Sequence, residues 1–523
     1  MVSLRTKVLA TLASAVALPL IYHGARLVLI WRTPIPNSPR HAGDIVAEIL
    51  QAHGIKRVFT LPGGHVSPVV CACEEVGISI IDTRNEADAV FAADATSRLT
   101  RTVGVAIVTA GPGVTNTITA VKNAQMAHSP LLVIGGAAAT ISKGRGSLQD
   151  IEQLPLFRSC AKLALTVTRV KDIAPTLKYA LQQAVSGVPG PVFLELPIDI
   201  LYPILELKAN MGVVRRTALK RLAEEDKKHV IVPTAAVSSS KLSRDAYLES
   251  LQPNSPVFLP HPHPPSGVVG TYMVFQLKRI FGGAWEPFDP RPLKVIVNRA
   301  SDKQIKKVQK LLQQSKRPVV IVGSQIISNV DVDRHDISAA LQSMGVPVYL
   351  SGMARGMMGA EHELFLRQAR KETLREADLV LLLGVSVDFR LDYGRCFSRG
   401  SKVVSVNRSR EELTRNTDAM WKPFAALMAD PADFLLRLKK TAEDDGVSSG
   451  LVPRADTAWF ASRKERERQL EAKNAEMAKA PAIGHGDLSG KELVNPIAFF
   501  QKLNEVLQSR KKEKKDTDGG NDD

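Results

Sequence analysis

The residues of this 523-residue chain that could do chemistry together gather around residues 82–116, DTRNEADAVFAADATSRLTRTVGVAIVTAGPGVTN. Glu86 is a lone carboxylate placed where an apolar strand runs into an Ala-rich helical pattern. Gly111, Pro112 and Gly113 end the next apolar strand, and Asn116 follows them into another helix. Upstream, Gly63 and Gly64 close a strand in the same way. Ligands of open parallel sheets bind beyond the carboxyl ends of the strands, so Glu86, Gly63, Gly64, Gly111, Gly113 and Asn116 can share one rim. A shielded carboxylate on such a rim can act on a heterocyclic nitrogen, and glycines let backbone approach a ring. Taken singly, each has a plainer reading: an acid favourably placed in the first turn of a helix, and ordinary tight turns.

The elements that must position these residues follow from periodicity. Apolar strands are expected at 57–61, 78–81, 103–109, 131–135, 166–170 and 191–196, with helices over 43–51, 114–126 and 172–186. Strands separated by short helices predict a parallel, doubly wound sheet. A second such unit is expected from strands at 318–323, 347–350, 377–384 and 402–407, with helices at 303–314, 336–344 and 433–439. The fold class is therefore α/β, with two doubly wound parallel-sheet domains after an N-terminal hydrophobic segment. The boundaries read as 1–40 for that segment and its linker, 41–203 for the first domain and 204–290 for a linker, partly disordered. The second domain then spans 291–440, and 441–523 holds charged helices and a disordered tail from Ser509 on. No GxGxxG follows a strand, which gives a dinucleotide reading of the second domain weak support.

The net charge of +16 and isoelectric point near 9.6 reflect basic runs at 208–241, 463–468 and 510–515. No nucleic-acid module accompanies them, which argues against nucleic acid; an anionic membrane surface or anionic substrates fit better. Cys71, Cys73, Cys160 and Cys396 lack metal-ligand spacing and read as small core hydrophobes in a reducing compartment. His261 and His263, flanked by prolines, read as solvated loop. Residues 8–31 form a mostly apolar run, diluted by Arg26 and flanked by Arg5, Lys7 and Arg32. A membrane anchor is the favoured reading, with a cleaved signal or a mitochondrial presequence as alternatives.

Motif order adds a resemblance. PGG, RNE with AADA, TAGPGVTN, AQMAHSPLLVIGG and GPVFLELPID follow one another, and VVIVGSQ, GVPVYLSGMARGMMG, ADLVLLLGVSVDFRLDYG and VVSVNRSREE continue the series. Over residues 41–203 and 270–507 the chain resembles thiamine-diphosphate enzymes of the acetolactate synthase group. Within them it looks like the membrane-anchored, acetolactate-synthase-like 2-hydroxyacyl-CoA lyase branch. The resemblance implies thiamine diphosphate and Mg²⁺ as cofactors, with Glu86 as the catalytic carboxylate that hydrogen-bonds the aminopyrimidine N1′. That bond favours the imino tautomer, whose nitrogen removes the thiazolium C2 proton. Gly63, Gly64, Gly111, Gly113 and Asn116 are implied as cofactor-binding residues.

Gln149 and Gln153 are implied along the substrate channel, a surface-helix role being equally open. Arg355 is a candidate for a CoA phosphate, against a solvated loop arginine, and His128 carries less weight. The implied reaction cleaves a 2-hydroxyacyl-CoA to an aldehyde and formyl-CoA, with acetolactate-type carboligation as the alternative. The implied location is the endoplasmic reticulum membrane with the catalytic part in the cytosol, or mitochondria. The family's third domain, marked by GDG and an Asn-rich turn that hold Mg²⁺, finds no match. Residues 484–488 (GHGDL) and 518–521 (DGGN) have similar letters in the wrong context. The expectation is a chain without a diphosphate cradle, nearly inactive alone. It would work as a homo-oligomer or in a mixed oligomer with full-length subunits, or act as a non-catalytic partner that lowers their activity.

Overall fold

A computed structural model describes residues 40–210, 267–328, 331–359, 362–446, 456–483 and 489–517, together with 28–30, 32 and 452. The chain divides into two units, Met1–Val297 and Asn298–Asp523.

In the first unit, six strands form a parallel sheet: β1 (Arg57–Leu61), β2 (Ser79–Asp82), β3 (Gly104–Val108), β4 (Leu131–Ala137), β5 (Leu163–Thr166) and β6 (Pro191–Pro197). Their order is β2-β1-β3-β4-β6-β5. β3, β4 and β6 are buried along their whole length, and they are apolar because helices cover both faces. One face packs Ile45, Ile49, Leu50, Val58, Leu132 and Leu177 together. The other packs Ala89, Val90, Ala93, Val121, Phe157 and Phe193. The Ala-rich pattern of the Glu86–Thr100 helix has a steric reason. At Gly104 an added Cβ would stand 2.1 Å from the Ala93 carbonyl oxygen, so helix and strand lie in backbone contact. Register pairs Thr60 with Asp82 and Leu61 with Val108, which brings the carboxyl ends of β2, β1 and β3 level.

Two expectations change here. The strand expected at 166–170 lies earlier, at Leu163–Thr166, paired in register with β6 from Val192 to Glu195. Arg169 and Asp172 form an ion pair at 2.6 Å around the Val170–Asp172 turn that follows, which takes the backbone out of the sheet. Within the stretch read as linker, Ile204–Asn210 and Gly267–Phe281 are helices. Their Ile204, Leu207, Leu277, Ile280 and Phe281 join the first core. Residues 211–266, with His261 and His263, lie outside the described residues.

The second unit carries β7 (Pro318–Val322), β8 (Val348–Leu350), β9 (Leu379–Leu383), β10 (Lys402–Asn407) and β11 (Ala425–Met428) in the parallel order β11-β10-β9-β7-β8. β11 has no counterpart in the sequence reading. Beyond β7 and β9 the backbones touch: a Cβ on Gly323 would meet the Gly384 carbonyl at 2.1 Å. The crevice there is filled from within. Buried Gln325 donates to Asn407 Oδ1 at 2.8 Å and accepts the Arg408 N–H at 3.0 Å. Arg408 in turn pairs with Asp430, both side chains being buried.

The tail beyond residue 508 was expected to be disordered, but the Pro496–Thr517 helix runs through most of it. Asn495 starts this helix by accepting the Ile497 N–H at 2.9 Å, and the Lys- and Glu-rich run favours helix intrinsically. Of residues 8–31, only 28–30 are described. Among the described residues no helix is long and apolar enough to cross a membrane.

Candidate active site

Glu86 owes its position to the residue before it. Asn85 is extended, and its side chain accepts the Ala87 N–H at 2.8 Å, which caps the helix and makes Glu86 its first residue. Such a cap satisfies one of the open N–H groups of a helix start, and the positive end of the helix favours a carboxylate there. Glu86 is 7% exposed. Its Oε2 accepts a 2.9 Å hydrogen bond from Asn116 Nδ2. Among the described residues its Oε1 accepts none, and it faces Gly113, where an added Cβ would stand 3.2 Å away.

The corner after β3 is built from backbone. Gly111 has φ +65° and ψ −118°, a conformation that a side chain resists, and Pro112 opens the short Pro112–Thr115 helix. The Gly111 N–H donates to Gln153 Oε1 at 2.8 Å. Gln149, itself at φ +59°, lies against Gly111 so closely that a Cβ on the glycine would meet its Cβ at 2.8 Å. Thr109 links two corners. Its side chain fills the space a Cβ would take at Gly63, 2.5 Å away, and at Gly113, 2.7 Å away. Gly64 is exposed, and its carbonyl accepts the Tyr202 hydroxyl at 2.8 Å.

The structure thus brings Glu86, Asn116, Gly111, Gly113 and Gly63 to one rim, with Gly64 at its margin. One expectation needs correction. Gln153 is 1% exposed and cannot line an open channel. Its amide donates to the Gly136 carbonyl at 3.0 Å and to Glu195 Oε2 at 2.8 Å, so it braces the corner from behind. Gln149 is half-buried at the surface of the same loop. His128 ends the Ile118–Ala127 helix in a left-handed conformation, at the end of that helix away from Asn116. Arg355 is exposed in a turn of the second unit.

Sequence reasoning missed Thr109, Lys143 and Glu195. Glu195 carried a visible signal, a carboxylate inside the otherwise apolar strand PVFLELP. A charge at that depth needs partners.

His65, next to Gly64, is buried, and burial lowers its pKa from the usual value, partly offset by a backbone hydrogen bond at Leu148. All four cysteines are free and raised in pKa, chiefly by burial, Cys73 to about 12. Among the described residues no group of three or more His, Cys, Asp or Glu could hold a metal ion.

These features define a class: a parallel α/β protein whose first sheet presents a buried carboxylate, with one open oxygen, across a glycine corner. The open oxygen suits a flat ring whose N–H donates a hydrogen bond to Oε1. Comparison with known proteins places it more narrowly. Residues 40–156 match the N-terminal TPP binding domain of thiamine pyrophosphate enzymes, and residues 305–438 match their central domain. The chain belongs to the thiamine pyrophosphate enzyme family.

It is 42% identical over 475 residues to 2-hydroxyacyl-CoA lyase 2 of Danio rerio, covering 90% of this chain and 66% of that protein. It is 41% identical over 475 residues to 2-hydroxyacyl-CoA lyase 2 of Homo sapiens, covering 90% and 65%. The chain therefore spans slightly less than two thirds of the length of these relatives. A solved structure, the thiamine diphosphate-dependent 4-hydroxybenzoylformate decarboxylase of Rhodococcus jostii, shares the fold. Its TM-score is 0.53 at 17% identity, over 77% of this chain and 62% of that one.

Proposed function

We propose that this chain supplies the pyrimidine-facing half of a thiamine-diphosphate site in a C–C lyase that cleaves 2-hydroxyacyl-CoA to an aldehyde and formyl-CoA. One observation carries the reading: Glu86 is buried, Asn116 holds its Oε2, and its Oε1 is left for a ring N–H. When bound, the cofactor supplies the electron sink for the bond cleavage. The chain's own residues orient and shield. Asn116 fixes the rotation of the Glu86 carboxylate, and Gly113, lacking a Cβ, lets Thr109 and Glu86 Oε1 pack against the corner. The Glu86–Thr100 helix excludes water from behind through Ala89, Val90 and Ala93.

The reading extends to a division of labour. A full-length subunit, as the partner in a mixed oligomer, holds the diphosphate and its Mg²⁺, and turnover by this chain alone is low. The apolar run at 8–31 supports attachment to a membrane. The test is formyl-CoA release from a 2-hydroxyacyl-CoA, with thiamine diphosphate and Mg²⁺, by the purified chain alone and co-expressed with a full-length relative. Glu86-dependent product in the mixed preparation is expected. Absence of product in both, with no heat of thiamine diphosphate binding in calorimetry, would overturn the reading.

A further inference from the structure

Glu195 is a fully buried carboxylate behind the rim, and the sheet itself puts it there. On β6, Val192, Leu194 and Leu196 point into the first core, and Phe193 points into the second. By the two-residue period of a strand, Glu195 shares the Phe193 face, the face covered by the Glu86–Thr100 helix. It is 0% exposed, and three side chains donate to it. Oε1 accepts from Lys143 Nζ at 2.8 Å and Thr166 Oγ1 at 2.9 Å, and Oε2 accepts from Gln153 Nε2 at 2.8 Å.

The choice of a carboxylate has a consequence for Gln153. A carboxylate held by an ammonium only accepts hydrogen bonds, whereas an amide has one accepting end and one donating end. Gln153 must therefore turn its nitrogen to Glu195, where its second N–H reaches the Gly136 carbonyl. Its oxygen is then obliged to face the Gly111 N–H. The Gly111 turn sets the position of Gly113, which in turn packs on Glu86 Oε1.

We propose that Glu195 is a positioning residue for the cofactor rim. Acting through Gln153, it fixes the orientation of the Gly111 amide and so the distance between the Gly113 backbone and the Glu86 carboxylate. This rests on the reading of the rim as a thiamine-diphosphate site, and it deepens that reading.

Hydrogen exchange on the full chain tests the relay without any cofactor. In Glu195→Gln, an isosteric change, the side chain can donate as well as accept, so the Gln153 amide is free to turn over. Exchange in peptides spanning residues 110–113, where Pro112 carries no amide, is expected to quicken at least tenfold. Protection in β3 and in the Glu86–Thr100 helix should stay within twofold of the wild type. Gln153→Met removes the same bond to Gly111 while leaving Lys143 and Thr166 on Glu195, and gives the same pattern if Glu195→Gln does not fold. In the preparation that turns over, Glu195→Gln should lower kcat about tenfold with KM unchanged. Unchanged exchange at 110–113, or loss of protection spread evenly through the sheet, overturns the proposal. Failure of the function reading looks different: no Glu86-dependent turnover, with the exchange result intact.

Discussion

Asn116 and Glu86, thirty residues apart in the chain, are joined by a 2.9 Å hydrogen bond from the amide nitrogen to one carboxylate oxygen. The bond ties the start of one helix to the corner that opens another, and it leaves the second carboxylate oxygen facing Gly113. Glu86→Gln keeps the shape and the contact with Asn116 but removes the acid–base group. In the mixed preparation with a full-length relative, it is expected to lower formyl-CoA release by roughly a hundred- to ten-thousand-fold, with an unchanged melting temperature of this chain by circular dichroism. Turnover within threefold of the wild type would exclude Glu86 from the chemistry.

Gly113 gives a second test, of packing instead of chemistry. Its conformation suits any residue, but an added methyl would meet Thr109 Cγ2 at 2.7 Å and Glu86 Oε1 at 3.2 Å. Gly113→Ala should cost about 1–3 kcal/mol of stability through overpacking, read from urea denaturation. It should also weaken thiamine diphosphate binding by the assembled protein, because the new methyl pushes the open oxygen of Glu86 out of position.

The strands with buried interiors were legible in the sequence, and so was the more exposed β2 beside β1. The runs at 57–61 and 402–407 are apolar stretches closed by Pro62, Gly63 and Asn407, and their strands fall at those residues. Two of the four edge strands were harder. β5 is half-buried throughout, and the β-branched residues just after it imitate a stronger strand than the one that forms. β11 is four residues long with only Leu427 buried, too short and too mixed for a two-residue period to show. At the rim, Glu86 and the glycines were visible because they sit at strand ends. The path from Glu195 through Gln153 to Gly111 spans sequence separations of 42 residues at each step, and no local pattern records it.

The second unit predicts a large effect from one buried ion pair. Arg408 and Asp430 are almost fully buried, and Asp430 also accepts the Asp433 N–H at 2.7 Å to start the Pro431–Asp444 helix. Asp430→Ala leaves the guanidinium buried without its anion. A loss of about 3–5 kcal/mol is expected, seen as a lower urea midpoint for this unit. Replacing both residues with apolar ones of similar volume should recover much of it.

His65 predicts an acid limit to stability. Burial holds its folded pKa below the ordinary value of 6.5. Between those two values the unfolded chain binds more protons than the folded one, so stability rises with pH across that window. The contribution is complete above about pH 6.5 and is lost as pH falls through the folded pKa. Urea midpoints at pH 7.5, 6.5 and 5.5 should fall in that order. His65→Gln should show a smaller fall, the remainder belonging to groups such as His53, also lowered by burial.

The Glu86–Thr100 helix has a practical consequence for engineering. It begins at the rim and runs 15 residues to Arg101, which turns the chain with φ +62°. At 1.5 Å per residue, that turn is about 22 Å from the carboxylate. A reporter peptide or fluorophore site inserted between Arg101 and Thr102 would sit at the amino ends of the strands, the end away from Glu86. Such an insertion could track assembly of this chain with a partner while leaving the rim chemistry undisturbed.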